Sequence, residues 1–549
     1  MENLRQGNWL ALERKMLKIN TDGKRLIELT TYRGIALWWF IRFRLYHSAE
    51  SSQLIKSLTK NTFFISFADF LYDFFTSILC RMLSRYSKVK TGEKREFRIL
   101  ITTPHTVWRN IHDRSGRLKK SDVFFDSIIT GLKKRNYKII TVYPLGYSVS
   151  GLRKTIDRLK RQKGVIHKPF NIYWSIKIWK KEYDARKYFR SIWKNVSENS
   201  KEFTGLLEKY QLKSELSYYF NSIFERDVKR IEMAKELVKR EEPDLILVAD
   251  EYDVFGRALV IAGKLKGIPT LAIQHGNIGP LHVGYMYSKD NISASGSIQS
   301  PYCQIPDKIA VYGPFYYDLL TKTSAFPSSS VVITGQPRYD RLVMSDRIYS
   351  REKFCAMLGL DPHRKIVLVA TQPIPMRETF IRSVLRALKN FQEAQVIIKP
   401  HPGENDEAYK KVVEEENVRV KMLSKSSDTI EALYACDLLV AAFSTVITEA
   451  LVLGRPAVTL NLTAEDPIPY YKEVTLRVDK EEDLAPAIRK ALYDEKTREK
   501  LKKERKKFMS KHVYKQDGKA TERVIGLIER MIKKRDDEMK IIGSLCSKT

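Results

Sequence analysis

The sequence predicts an α/β protein of two doubly wound parallel-sheet domains facing a common cleft, with a helical N-terminal extension and a helical insertion. Three observations lead there. From Phe97 onward, short aliphatic runs without polar alternation recur between helix-length segments, the pattern of strands buried on both faces. The 549 residues are more than one hydrophobic core organises, so two or three domains are expected. Residues with special chemistry fall directly after the predicted strands, where doubly wound sheets bind ligands.

The elements follow in order. Residues 1–93 read as a helical, basic and aromatic extension. It holds an apolar stretch over 35–41 that includes Trp38 and Trp39, followed at once by Arg42 and Arg44, and a longer one over 63–83. The longer stretch suffices to span a bilayer at about 1.5 Å per residue. Asp69 and Asp73 lie one turn apart near its middle, each costing about 3 kcal/mol at a bilayer centre. With Arg81, Arg85, Lys88 and Lys90 at its end, both stretches are expected to lie against a membrane surface without crossing it. Residues 94–330 form the first sheet domain: a strand over 97–102, a loop carrying His105 and His112, a helix over 122–135 and a strand over 138–142. A basic, aromatic helical insertion fills about 150–240. Strands over 244–249, 270–273 and 308–311 resume the alternation. Ser and Pro over 324–330 mark a boundary, and a short strand over 331–334 opens the second domain, 331–510. That domain repeats βα units with strands over 365–370, 395–398, 418–422, 438–441 and 456–460. A charged helical tail, 511–549, closes the chain.

The formal charge of +32 is unevenly placed. Residues 1–240 hold 50 Lys+Arg against 23 Asp+Glu, a net of +27, which leaves +5 for the rest. Such a field favours an anionic partner. No RNP, KH, zinc-finger or helix-turn-helix pattern accompanies it, so nucleic acid is the partner of a different and disfavoured class, and an anionic membrane surface is expected instead. The five cysteines are scattered without metal-ligand spacing, which fits a reducing cytoplasm and a peripheral position on the inner membrane face. The first thirty residues carry charge throughout and no apolar run of the signal-peptide kind.

Four stretches carry candidate chemistry. Asp250 and Glu251 end one predicted strand, and His275 follows the next inside Gln274-His275-Gly276; an imidazole there suits proton transfer at neutral pH. Gly335-Gln336-Pro337-Arg338-Tyr339-Asp340-Arg341 reads as a tight turn at the domain junction. In Ile398-Lys399-Pro400-His401-Pro402 two prolines fix a loop bearing cationic donors, which suit a diphosphate. Ser444 and Thr445 enter a helix whose free N–H groups attract phosphate, with Glu449 one turn on, where a carboxylate can take both hydroxyls of a ribose.

In this order, these stretches resemble the GT-B glycosyltransferases and their relatives: capsular polysaccharide and Kdo-type transferases, the CDP-glycerol glycerophosphotransferases of teichoic acid synthesis, and the non-hydrolysing UDP-N-acetylglucosamine 2-epimerases. The resemblance covers about residues 240–530, including Asp517-Gly518-Lys519-Ala520 before the last helix. It departs in one place, since no Trp precedes His275 as in the teichoic acid group. It implies two Rossmann-like domains, an N-terminal acceptor domain and a C-terminal donor domain. His275 is then the general base, with Asp250 or Glu251 as substitute. Lys399, His401, Ser444, Thr445, Glu449 and Arg338 lie on the donor side. No Asp-x-Asp metal motif occurs, so no metal and no cofactor is expected. A nucleotide-sugar or CDP-alcohol donor is the substrate, and the acceptor is a glycan or lipid-linked. Inverting glycosyl transfer in surface polysaccharide or glycoconjugate synthesis is the first expectation; glycerophosphate transfer and UDP-sugar 2-epimerisation are the alternatives.

Overall fold

The computed structural model describes residues 6–21, 23–48, 62–85, 97–103, 107–113, 115–145, 149–160, 164–374, 376–389, 391–404, 407–462 and 468–546. His105, Lys88 and Lys90, and the side chain of Arg85, lie outside the described set.

In chain order the first domain contributes β1 (Arg98–Thr102), β2 (Trp108–His112), β3 (Leu118–Asp122), β4 (Lys138–Tyr143), β5 (Ile166–Pro169), β6 (Leu245–Val248), β7 (Thr270–Ile273), β8 (Lys308–Val311) and β9 (Val331–Ile333). β2 and β3 form a separate antiparallel hairpin. The other seven make one parallel sheet ordered β9-β8-β7-β6-β1-β4-β5. The second domain holds β10 (Lys365–Ala370), β11 (Ala394–Lys399), β12 (Val420–Met422), β13 (Leu438–Ala441), β14 (Ala457–Leu460) and β15 (Leu476–Val478), a parallel sheet ordered β12-β11-β10-β13-β14-β15. Both sheets are doubly wound. The strand order reverses at β1 in one and at β10 in the other, which opens crevices between the ends of β1 and β6, and of β10 and β13. Central strands are uninterrupted aliphatics because helices cover both faces: Leu245, Ile246, Leu247 and Val248 are all buried.

Four expectations change. The strand over 331–334 pairs with β8 and so completes the first sheet, placing the domain junction after it. The tail is not an appendage. Helix Ala520–Cys546 returns to the first domain, where Val524, Ile525, Ile528, Met531 and Ile532 pack with Ile99, Ile101, Phe125 and Leu132; the i, i+1, i+4, i+7, i+8 spacing is the apolar stripe of an amphipathic helix. The region over 150–240 is not helical throughout, since it supplies an edge strand, β5, between helix Val149–Lys160 and helix Ile176–Asn199. Residues around His112, expected as loop, are the hairpin.

A fifth correction concerns the extension. Trp38, Trp39, Phe40 and Ile41 are sealed in the main core with Trp9 and face no membrane. Their polar atoms are satisfied inside: the Trp38 indole donates to Glu13 at 2.8 Å, Arg42 binds the same carboxylate at 2.7 Å, and Trp39 donates to the Pro301 carbonyl at 3.0 Å. Apolar bulk decided where this stretch goes, and the adjoining Arg42 is buried by its pairing. Helix Thr62–Arg85 is different, because only one face packs inward. Its two aspartates sit on that face, Asp69 on Arg226 at 2.6 Å and Asp73 on Lys229 at 2.5 Å. Among the described residues no helix is long and apolar enough to cross a membrane.

Candidate active site

The site forms where the ends of β6 and β7 face the ends of β11 and β13. β6 ends at the Asp250–Glu251 corner, and helix Val254–Leu265 starts directly beneath it, N-capped by Asp253 through the Phe255 N–H at 3.2 Å. The approach needs glycine at Gly256, where a Cβ would stand 2.0 Å from the Asp250 carbonyl oxygen.

His275 follows β7. Its Nδ1 lies 2.8 Å from the Ala249 carbonyl, an atom that only accepts, so Nδ1 carries the proton and Nε2 presents a lone pair. The Tyr252 hydroxyl stands 3.4 Å from that Nε2. This is the tautomer a general base requires. Glu251, expected from the sequence as a substitute base, is sealed from solvent, and burial pushes its carboxyl up to about 7 against the opposing His275 ring and Tyr285 hydroxyl. Asp250, half-buried, is raised by burial while the His275 ring opposes the shift. The pair lies next to His275 in the same buried corner, where burial works against the charge on both carboxyls.

On the donor side Lys399 is also reassigned. Its ammonium is buried and donates to the carbonyls of Pro400 at 2.9 Å and Lys425 at 3.1 Å, so it braces the loop and lends charge from beneath. Burial, then the Arg109 guanidinium, lower it to about 8. His401 is the group the loop presents. Its Nδ1 accepts the Gly403 N–H at 3.1 Å, which leaves the proton on Nε2 as an outward donor. Burial first, and Arg109 next, hold it below the usual imidazole range. Ser444 caps helix Thr445–Val452, its hydroxyl accepting from Val446 at 3.4 Å, and Thr445 opens that helix.

Glu449 is not free for a ribose. It is buried and paired with Arg338 at 2.8 Å. Burial raises its carboxyl, opposed by Arg338, Arg341 and Arg109. Phe124 joins the two walls, its ring 6.3 Å from that of His275 and 5.9 Å from the Arg338 guanidinium. His275 and the Arg338–Glu449 pair thus flank one aromatic side chain.

Each part of the Gly335–Arg341 stretch has its own work. Gln336 donates to the Gln274 carbonyl at 3.1 Å, steadying the base loop. Arg338 pairs with Glu449. Asp340 caps the last helix through the N–H groups of Ala520 at 2.9 Å and Thr521 at 2.8 Å. Arg341 reaches Asp428 at 3.5 Å and the His112 carbonyl at 3.2 Å.

Sequence reasoning missed Arg109, His112 and Asp428. The hairpin leans across the junction, His112 N–H donating to Asp428 at 3.2 Å. Burial disfavours the charged Asp428, but Arg341 and His112 outweigh it and hold the carboxyl at about 2. The same hairpin sets Arg109 among Arg338, Lys399 and His401, and burial followed by Arg338 lowers it to about 10. Nothing in the local sequence pairs residue 109 with residues some 290 positions on. Three guanidiniums, Arg338, Arg341 and Arg109, act on the buried Glu449 carboxylate, and Lys399 lies within reach of Arg109; together they make a field suited to a diphosphate.

Residues 175–530 match the family profile described as CDP-Glycerol:Poly(glycerophosphate) glycerophosphotransferase. No curated protein matches the chain. Among solved structures, similar ones include the UDP-GlcNAc 2-epimerase of Neisseria meningitidis bound to UDP-GlcNAc, at 13% identity, covering 79% of this chain and 100% of that one with a TM-score of 0.48. The S. aureus MnaA–UDP structure has 12% identity, 80% and 97% coverage and a TM-score of 0.46. A glycosyltransferase from Rickettsia africae has 12% identity, 80% and 100% coverage and a TM-score of 0.45.

Proposed function

Because the chain belongs to the CDP-glycerol:poly(glycerophosphate) glycerophosphotransferase family, a family of transferases, we propose that it transfers an alditol phosphate from a CDP-activated donor to a hydroxyl of a glycan or lipid-linked acceptor. The observation that supports this best is the cationic cluster of Arg109, Arg338 and Lys399, with the Nε2 donor of His401 beside it, across the cleft from a histidine in the base tautomer. The acceptor oxygen attacks the β-phosphorus of the donor. The new P–O bond forms as the bond from that phosphorus to the bridging oxygen breaks, and CMP leaves. The acceptor's proton passes to Nε2 of His275. His401, donating from Nε2, and the cations around it stabilise the charge growing on the departing phosphate. Glycosyl transfer uses the same donor cleft and is the reading the family match moves to second place.

Nucleotide discrimination tests the proposal. CMP and CDP-glycerol are expected to stabilise the protein thermally, by about 2.7 kcal/mol at 100 times Kd, and the product should carry a new phosphodiester. Stabilisation by UDP-sugars alone, with a glycosidic product, would overturn it.

The membrane surface belongs to this proposal in a changed place. On helix Thr62–Arg85, Phe75, Ile78 and Met82 are 63%, 40% and 58% exposed, on the face away from the buried Asp73. Helix Ile176–Asn199 adds exposed Ile176 and Tyr183, and the two helices meet through Phe70 and Trp179, 5.2 Å apart. Lys187 lies 4.5 Å over the Tyr183 ring, and Lys177, Lys180 and Arg81 border the patch. An apolar stripe rimmed by cations fits an anionic lipid surface on the cytoplasmic side. The double variant Phe75→Ser/Met82→Ser should bind phosphatidylglycerol vesicles at least tenfold less, on the order expected for losing two buried apolar side chains, while CMP affinity holds. Undiminished vesicle binding would remove this surface.

A further inference from the structure

The two walls of the cleft are joined at one phenol. Tyr471, in the short turn Pro469–Glu473 of the second domain, is buried with its hydroxyl between three partners. Asn277 of the first domain donates its amide to that oxygen at 2.6 Å. Thr448 lies 2.7 Å away on the other side, and the phenol donates to the Ser444 carbonyl at 3.2 Å. With Ser444 accepting the phenolic proton, Thr448 donates, and the oxygen is fully used. The Asn277 amide is itself oriented, its oxygen facing the Tyr316 hydroxyl at 3.5 Å.

We propose that Tyr471 is a positioning residue for the transfer reaction, fixing the base loop against the donor helix through Asn277 on one side and Thr448 and Ser444 on the other. The spacing makes the case. Asn277 lies two residues beyond His275 in the loop that carries the base. Thr448 is adjacent to Glu449, and Ser444 caps the helix facing the donor. A shift at the phenol therefore moves base and donor relative to each other while leaving each half-site whole. Transfer rates depend steeply on that geometry, since displacement of about 1 Å can cost a hundredfold. Capping or packing alone would need only the ring, which already stacks on Phe508 at 6.0 Å.

The inference rests on the proposed transferase function, so the test reads CMP binding and CDP-glycerol turnover separately on the full chain. Tyr471→Phe keeps the ring and removes the hydroxyl. It is expected to lower kcat about tenfold with CMP affinity within about twofold of wild type, the scale of one lost hydrogen bond expressed through geometry. Asn277→Ser, as the second variant, should lower kcat similarly, and the double variant should be no worse than either single one. Unchanged kcat in Tyr471→Phe, additive losses in the double variant, or CMP affinity falling in step with kcat would each overturn the positioning role. Wild-type protein that neither binds CMP nor turns over CDP-glycerol would instead overturn the function beneath it.

Discussion

His275→Gln should lower kcat for transfer by a hundredfold or more while leaving donor-nucleotide affinity within about twofold, the range expected when a general base is removed. The Ala249 carbonyl takes the Nδ1 proton at 2.8 Å and so leaves the lone pair on Nε2, beside the Tyr252 hydroxyl at 3.4 Å. Among the described residues Phe124 stands between His275 and the Arg338 guanidinium, so losing the imidazole is expected to leave the proposed phosphate site whole. A Gln amide keeps some hydrogen-bonding capacity but cannot accept a proton at neutral pH. The result to watch for is the split. A variant that loses CMP binding and keeps residual transfer would exchange the roles of the two histidines. His401→Ala should show the opposite pattern, a fall in CMP affinity, because its Nε2 donor faces the ligand side.

Much of this was legible in the sequence, and the reasons differ by residue. The strands were readable because both sheets are parallel and covered, so aliphatic runs such as Leu245–Val248 mark them directly. His275 and His401 were readable because each follows a strand inside a turn-forming frame. Three things were not. β9 was assigned to the wrong domain because a three-residue strand carries no sign of its sheet. The 35–41 stretch of the extension was misread because an apolar run beside arginines looks alike whether it meets lipid or its own core; Glu13, far off in sequence, decides between them by pairing Arg42 and Trp38. The cross-cleft groups were invisible because Arg109, Asp428 and Tyr471 owe their meaning to partners in the other domain. Conversely, Lys399 and Glu449 look in sequence like ligand contacts, yet their charges are taken by backbone carbonyls and by Arg338.

That last pairing has the largest consequence for stability. Glu449→Ala should destabilise the protein by about 3–5 kcal/mol, because it leaves the Arg338 guanidinium buried without its counter-charge. Both side chains are largely out of water, at 13% and 2% exposure, with the contact at 2.8 Å. The remaining neighbours make matters worse for the orphan, since Arg109 and Arg341 add like charge around it. The sequence alone treated Glu449 as a ligand contact; the geometry makes it a structural counter-ion to Arg338. Arg338→Ala should cost a similar amount by stranding the carboxylate, which then avoids charge by taking up a proton. The double variant Arg338→Met/Glu449→Leu separates the pair from its parts. Replacing a buried ion pair by apolar groups of similar size is often close to neutral, so chemical denaturation should find it more stable than either single variant. It is nonetheless expected to bind CMP weakly, because under the proposed function the Arg338 guanidinium, beside Arg109, lends charge to the donor phosphate. Single variants that keep wild-type stability, or a double variant as unstable as the sum of the two, would show that the contact does not couple these residues.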